Sequence, residues 1–494
     1  MRSSAVGSAK IEPMRRSIVG MVLVGVLAGA PAVSSAASSS VEDPDPSISV
    51  MSRNIYLGAD VSVALDLLPD MPAAAQFMWE QVADTDFTSR APVLAAELAR
   101  ERPDVVALQE ATIWRCRSSI VGSSTVVFDF TAQLLDAASD AGVEYVIASH
   151  GGDEAYNPGY SIPVLPFLTT VRDPQTFQPI FGTDEAACGF SIADALLVRS
   201  DLADRVVHVG VGHYDATYAV VPVVFEVDRG YAWADLRTGG GVVRFLTTHL
   251  ESVWDEDAIP YASQQARELI EVTSGWNMPL VVVGDFNSDP RDPRPLGASN
   301  PGLQPDTSTG CAAQVPDPSA GTADAACSAY WAMIDAGFAD AGPDSLDPAN
   351  ATWGASALLA GPDPKRLAAA QGNPYGYTDR LDYVFTKNGP EVEQASLIAD
   401  TWPQGPDMWK CDGAEQIENA ERAALAMGVS LPAAFCLPTD HVGLLVTVDV
   451  PGSAFATSQV KSEDRTIAVI GGIAILLVLS GLVSLWAIRR SRDD

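Results

Sequence analysis

Short, almost continuously apolar runs recur along the chain: Ile48–Asn54, Val105–Gln109, Glu144–Ala148, Ala195–Val198, Val220–Val227, Val242–Thr248, Leu280–Val283, Leu381–Thr386 and Val442–Val450. Their length and their Val, Leu and Ile content predict β-strands covered on both faces, since a strand with one wet face alternates apolar with polar residues. Between them Ser89–Arg100, Phe130–Asp140 and Tyr261–Thr273 carry apolar residues at helical spacing and are predicted helices. Strands interleaved with helices imply a mixed α/β domain. The regions around 290–375 and 387–435 hold Gly, Pro and Ala with little period and read as insertions.

The two ends have patterns of their own. Arg15-Arg16 precede an apolar run from Ile18 to Ala30, and small residues follow to Ala36. This layout predicts an export signal over 1–36, secretory or twin-arginine. Residues 37–47 suit a linker and 451–466 a stalk. From Ile467 to Ile488 the chain is uncharged and apolar; as a helix it would be roughly 33 Å long and is expected to cross a bilayer. Arg489, Arg490 and Arg492 then predict a short cytoplasmic tail, 489–494, with the body of the chain exported and anchored in the cell membrane.

Composition narrows the partners. The net charge is −33, which repels polyanions and argues against a general affinity for DNA or RNA, leaving room only for a local basic patch. Six cysteines in an exported body read as disulfides. The short separations favour Cys311 with Cys327 and Cys411 with Cys436, leaving Cys116 for Cys188. No Cys-x-x-Cys spacing suggests zinc.

The candidate chemistry lies where apolar strands carry or end on polar residues, a costly placement for a buried group without a partner. These are Asn54 in SVMSRNIYL, Glu110 in DVVALQE, His249 in VRFLTTHLES, Asp285 and Asn287 in LVVVGDFNSDP, Asp382 in RLDYVF, and Asp440-His441 ahead of HVGLLVTV. Singly each reads as a turn, a cap or a satisfied core group; together they imply one shared rim.

The ordered set resembles the endonuclease/exonuclease/phosphatase superfamily, whose members include secreted deoxyribonucleases, abasic-site endonucleases, inositol-polyphosphate phosphatases and neutral sphingomyelinases. The resemblance covers nearly all of 48–450, through Asn54, RPDVVALQE, DALLVRS, TTHLES, a helix with Gln264 or Gln265 and Arg267, VVVGDFNSDP, RLDYVF and TDHVGLLVTV. It implies a four-layer α-β-β-α sandwich of two mixed sheets flanked by helices, hydrolysing phosphate esters with a divalent metal. Glu110, Asn54 and Asp440 would hold the cation; hard oxygen ligands suit magnesium, with manganese or calcium as alternatives. His441 would face the scissile phosphate, Asp382 would orient and charge it, and Asp285 would position or activate water. Asn287 and His249 would donate to phosphate oxygens. One position departs: Asp194 stands where relatives usually carry Asn or Gly. The substrate is expected to be a lipid or small phosphate ester, for which the apolar stretch Tyr160–Thr170 is either a membrane-dipping loop or an ordinary buried hairpin. A nuclease would instead gather Arg53, Arg115, Arg117 and Arg380 near the site, and a non-catalytic surface protein on the same fold is the remaining alternative.

Overall fold

The computed structural model describes residues 46–118, 120–172, 185–221, 225–252, 259–291, 327–354, 377–399, 408–411 and 435–450. The expected signal, stalk and membrane-spanning segment, and most of the two insertions, lie outside these residues.

Two large mixed sheets form the frame. The first contains β1 (Ser47–Asn54), β2 (Val105–Arg117), β3 (Thr125–Asp129), β4 (Tyr145–Ile147), β5 (Tyr156–Ile162), β6 (Thr170–Arg172) and β7 (Glu185–Arg199). The second contains β8 (Val206–His213), β9 (Gly230–Thr238), β10 (Gly241–His249), β11 (Leu280–Asp285), β12 (Ala339–Asp340) and β13 (Asp382–Lys387). The chain then returns to the first sheet with β14 (Glu391–Ile398) and β15 (Gly443–Asp449). Strand order is β14-β15-β1-β2-β7-β4 in the first sheet, with β3 on β2 and β5 and β6 on β7; in the second it is β8-β9-β10-β11-β13-β12. Each sheet has one parallel pair at its centre, β1 with β2 and β10 with β11.

The helices are α1 (Val61–Asp66), α2 (Met71–Asp84), α3 (Phe87–Glu101), α4 (Phe130–Asp140), α5 (Tyr261–Thr273) and α6 (Ala329–Asp335). Side chains explain why the central strands are apolar throughout. Val105 and Ala107 of β2 point into a core shared with Phe245, Val281 and Val283 of the second sheet. Their neighbours Val106 and Leu108 meet Leu94 and Leu98 of α3 and Leu134 of α4. In β11, Leu280 and Val282 likewise turn outward to Ala266 and Leu269 of α5 and Met333 of α6. Successive residues of a strand face opposite ways, so a strand with sheet on one side and helix on the other has no wet face.

Phe130–Asp140 and Tyr261–Thr273 form helices over the predicted spans, the first capped by the Asp129 side chain accepting from the Ala132 backbone N–H. Three expectations are corrected. The strand predicted at Val220–Val227 is not a sheet strand; that region holds only the short ribbon Tyr218–Val221 with Phe225–Val227, and the sheet strand is Gly230–Thr238. The region from 387, read as insertion, supplies the edge strand β14 with its outer residues exposed, which is why it shows no apolar run. Finally, the membrane-anchored localisation is withdrawn: among the described residues no helix is long and apolar enough to cross a membrane.

Cys116 pairs with Cys188 and Cys411 with Cys436; Cys327 is also disulfide-bonded, its partner lying outside the described residues. The first bridge joins directly paired residues of β2 and β7.

A buried ion pair connects the helical layer to the rim of the first sheet. Arg53 in β1 pairs with Glu97 in α3 at 2.9 Å and donates from Nη1 to the His441 carbonyl at 2.5 Å. Replacing Glu97 with Leu leaves Arg53 charged and without that partner in the interior. The expected loss is about 3–5 kcal/mol of stability, read as a lower urea midpoint at unchanged slope.

Candidate active site

All the strand-end polar residues come to one rim, where the two sheets face each other. Asn54 closes β1, His249 closes β10 and Asp285 closes β11, all at C-terminal strand ends. Asp382 opens the antiparallel β13, so it is paired directly with Asp285, as His249 is on the other side. Asp440-His441 lie just before β15.

Local backbone aims these groups. β2 carries an irregularity between Leu108 and Ala111 in its pairing with β7, and Glu110 within it has φ +60. A non-glycine residue in that region is strained and persists only where its surroundings hold it; here the Leu57 backbone N–H donates to Glu110 Oε2 at 2.5 Å and Asn54 Nδ2 to Oε1 at 3.1 Å. Asn287, with φ +46, donates its backbone N–H to Asp285 Oδ1 at 2.9 Å, the turn that asparagine forms readily. Gly284 must be glycine: a Cβ there would meet the Thr248 carbonyl oxygen at 1.9 Å.

Asp285 is the hub. Its Oδ2 accepts from Asn54 Nδ2 at 3.1 Å and lies 3.5 Å from His249 Nε2 and 3.6 Å from His441 Nε2. The opposite nitrogen of His441, Nδ1, is 2.8 Å from Asp382 Oδ2. Asp440 is held by the Trp353 indole N–H at 3.0 Å, with its other oxygen 3.9 Å from His441 Nε2.

The electrostatics follow from burial. Desolvation alone would lower the His441 pKa, but Asp382, Asp285 and Asp440 outweigh it and raise the value to about 10, so the ring is charged at neutral pH. Burial, Asp382 and Glu110 push Asp285 up to about 7 against the pull of His441. Burial and then Asp440 raise Glu110. His249 moves the other way, lowered by burial, Arg229 and His441, and is neutral.

Both ring nitrogens of His249 face donors: Arg229 Nη1 lies 3.0 Å from Nδ1 and Asn287 Nδ2 3.0 Å from Nε2. A neutral imidazole has one accepting nitrogen, so the guanidinium and the amide compete for it. Asn287 Nδ2 also donates to the Leu250 carbonyl at 2.8 Å. Arg229 is itself held by Glu251, 3.2 Å from its Nε, and Glu251 by the Gln265 side chain, which accepts the Glu251 backbone N–H at 2.8 Å.

The metal fit is chemical as well as geometric. Asp440 Oδ1 is buried with no hydrogen-bond partner, and it neighbours Glu110 and Asn54, a hard-oxygen set that suits magnesium-like ions. Donor atoms of Asp285, Asp382 and His441 also lie within 4.8 Å of one another. Asp382 Oδ1 is likewise buried without a partner, but the charged His441 has no lone pair to give a cation, which leaves that group short of a ligand.

Arg229, Glu251 and Trp353 were not singled out in the sequence. Asp194, the departure noted above, is buried beside Arg229 and accepts the His249 backbone N–H; burial, Asp285 and Glu110 push its carboxyl well above the usual range. Of the arginines considered for nucleic acid, Arg53 and Arg380 are fully buried and Arg53 is spent on Glu97.

The Endonuclease/Exonuclease/phosphatase family model matches residues 89–403. The chain belongs to that family, whose members are hydrolases acting on phosphoester bonds. Among solved structures it is similar to an endonuclease/exonuclease/phosphatase from Beutenbergia cavernae, at 16% identity over 83% of this chain and 73% of that one with a TM-score of 0.42. It is also similar to a mannosyl-6-phosphatase from Bacteroides thetaiotaomicron, at 14% over 81% and 99% with a TM-score of 0.38. Humanized D. rerio TDP2 is similar at 13% over 82% and 99%, also with 0.38. These scores carry no assignment of substrate. No curated protein matches by sequence.

Two outcomes test this geometry. Because the folded pKa of His441 is raised, its charge stabilises the fold fully below the ordinary value of 6.5, and that contribution is lost as pH rises towards about 10. NMR titration should therefore find His441 charged at pH 8, and Asp382→Asn should bring its pKa down. Arg229→Met should let the His249 proton redistribute to Nδ1, visible in the ring 15N shifts, with kcat reduced by about a hundredfold.

Proposed function

We propose that the protein is a divalent-metal-dependent phosphodiesterase that hydrolyses lipid or small phosphate esters by direct attack of water. The observation that carries this is the convergence of Asn54 Nδ2, His249 Nε2 and His441 Nε2 on one buried carboxylate oxygen, Asp285 Oδ2, at 3.1, 3.5 and 3.6 Å. The same Asn54 amide also reaches Glu110 Oε1 at 3.1 Å, so the acid that would orient water and the carboxylate that would hold a cation share one partner.

Each side chain then has a task. Glu110, Asn54 and Asp440 would hold the cation. Magnesium, or manganese or calcium, would supply a positive centre for the charge that grows on the phosphoryl oxygens during attack. Asp285 orients the water and takes its proton; a pKa pushed up to about 7 allows that exchange near neutral pH. His249 and Asn287 bind a phosphoryl oxygen. His441, kept charged by Asp382, faces the phosphate and offsets its developing negative charge. The water oxygen bonds to phosphorus as the opposite ester bond breaks, leaving an alcohol and a phosphomonoester with no covalent enzyme intermediate.

Non-nucleic esters are favoured because Arg53 and Arg380 are buried, so neither offers a guanidinium to a polynucleotide backbone, and the chain is strongly anionic.

Bis-p-nitrophenyl phosphate should be hydrolysed with magnesium and not after chelation. His441→Ala and Asp285→Ala should each lower kcat by about a thousandfold. Inactive wild type, or an equally active His441→Ala, defeats the assignment, and efficient nicking of plasmid DNA at low salt would move the substrate class to nucleic acid.

A further inference from the structure

Arg90, in α3, is fully buried, and its guanidinium donates to four backbone carbonyls and to no carboxylate among the described residues. Nε donates to Thr85 at 2.8 Å, Nη1 to Ile55 at 2.8 Å and to Pro438 at 2.7 Å, and Nη2 to Tyr56 at 3.2 Å. The rings of Phe87, Tyr56 and Phe130 lie around its central carbon, with centroids at 4.8, 5.5 and 5.7 Å. Burying a charge is costly unless dipoles or an opposite charge replace its hydration; here carbonyl dipoles and ring faces do so. The functional assignment above makes no use of this residue.

Thr85 lies at the start of Arg90's own helix, but the other three carbonyls belong to the segments that carry the proposed cation ligands. Ile55 and Tyr56 follow Asn54 at the end of β1. Tyr56, at φ +58, donates its backbone N–H to Asn54 Oδ1 at 3.0 Å, and the Leu57 N–H donates to Glu110 Oε2 at 2.5 Å. A non-glycine residue at such a φ persists only where its surroundings hold it, and the Arg90 Nη2 bond holds the Tyr56 carbonyl. Pro438 lies two residues before Asp440 and 348 positions along the chain from Arg90. The Thr439 hydroxyl spans the same gap, donating to the Asn54 carbonyl at 2.9 Å.

From these bonds we infer that Arg90, together with Thr439, is a positioning residue of the cation site: it fixes the anchors of Asn54 and Glu110 against the segment that ends in Asp440, without touching cation or substrate. This rests on the assignment of Asn54, Glu110 and Asp440 as the cation's ligands. Magnesium demands near-ideal octahedral geometry, so drift between segments that carry its ligands weakens its binding. Lysine in place of Arg90 keeps the positive charge, but its three donors sit on one nitrogen and cannot reach carbonyls spread around a planar fork. That exchange separates position from charge.

The test is calorimetric binding of magnesium to the full chain without substrate. Arg90→Lys should weaken magnesium about ten- to hundredfold. The magnesium concentration for half-maximal hydrolysis of bis-p-nitrophenyl phosphate should rise by the same factor, with kcat at saturating magnesium nearly unchanged. Leu134→Ala, in the core between α4 and β2, should lower the urea midpoint and leave magnesium affinity at the wild-type value, which distinguishes positioning from general loosening. Should Arg90→Lys not fold, Thr439→Val, which removes the bond to the Asn54 carbonyl, takes its place with the same expected direction. Wild-type affinity in the folded variant, or an equal fall in Leu134→Ala, overturns the proposal. A wild type that binds neither magnesium, manganese nor calcium fails the ligand assignment itself, whereas a wild type that binds one of them as tightly as the variant does fails the positioning role alone.

Discussion

Asp194, Asp285, Asp382 and Asp440 are buried at one rim, with Glu110 beside them. Removing carboxylates from water costs several kcal/mol each unless charge or hydrogen bonds replace the lost hydration. The surrounding structure does this in three ways. His441 is kept charged against Asp382, Arg229 lies beside Asp194, and amide and backbone N–H groups from Asn54, Leu57 and Asn287 point at the remaining oxygens. What is left over is Asp440 Oδ1, Asp382 Oδ1 and the raised proton affinities of Glu110 and Asp285, the signature of a site completed by a cation.

Such a cluster needs a rigid frame, and the two sheets provide it. Their shared core fixes the distance between the rim of β1 and β2 on one side and the rim of β10, β11 and β13 on the other. Strained backbone at Glu110 and Asn287 is then tolerated because hydrogen bonds hold both residues in place. The position of the His249 ring depends on the same frame, through Arg229, Glu251 and Gln265.

Much of the rim was legible in the sequence. Asn54, Glu110, His249, Asp285, Asn287, Asp382, Asp440 and His441 stood out because each follows, interrupts or precedes an apolar strand, where a polar side chain is costly without a purpose. The central strands and the helices α4 and α5 were legible for the related reason that burial leaves a period in the residues. Arg229, Glu251 and Trp353 were not, since a single polar residue in a loop looks the same whether it faces water or a histidine ring. The edge strand β14 was hidden because its exposed side chains show no apolar run, and the long arms of β2 and β7 because their far ends are covered by α1 and α2, not by the central core. Local sequence determines which residues must be buried; only the folded chain decides which buried groups meet, because those meetings join residues hundreds of positions apart across two sheets.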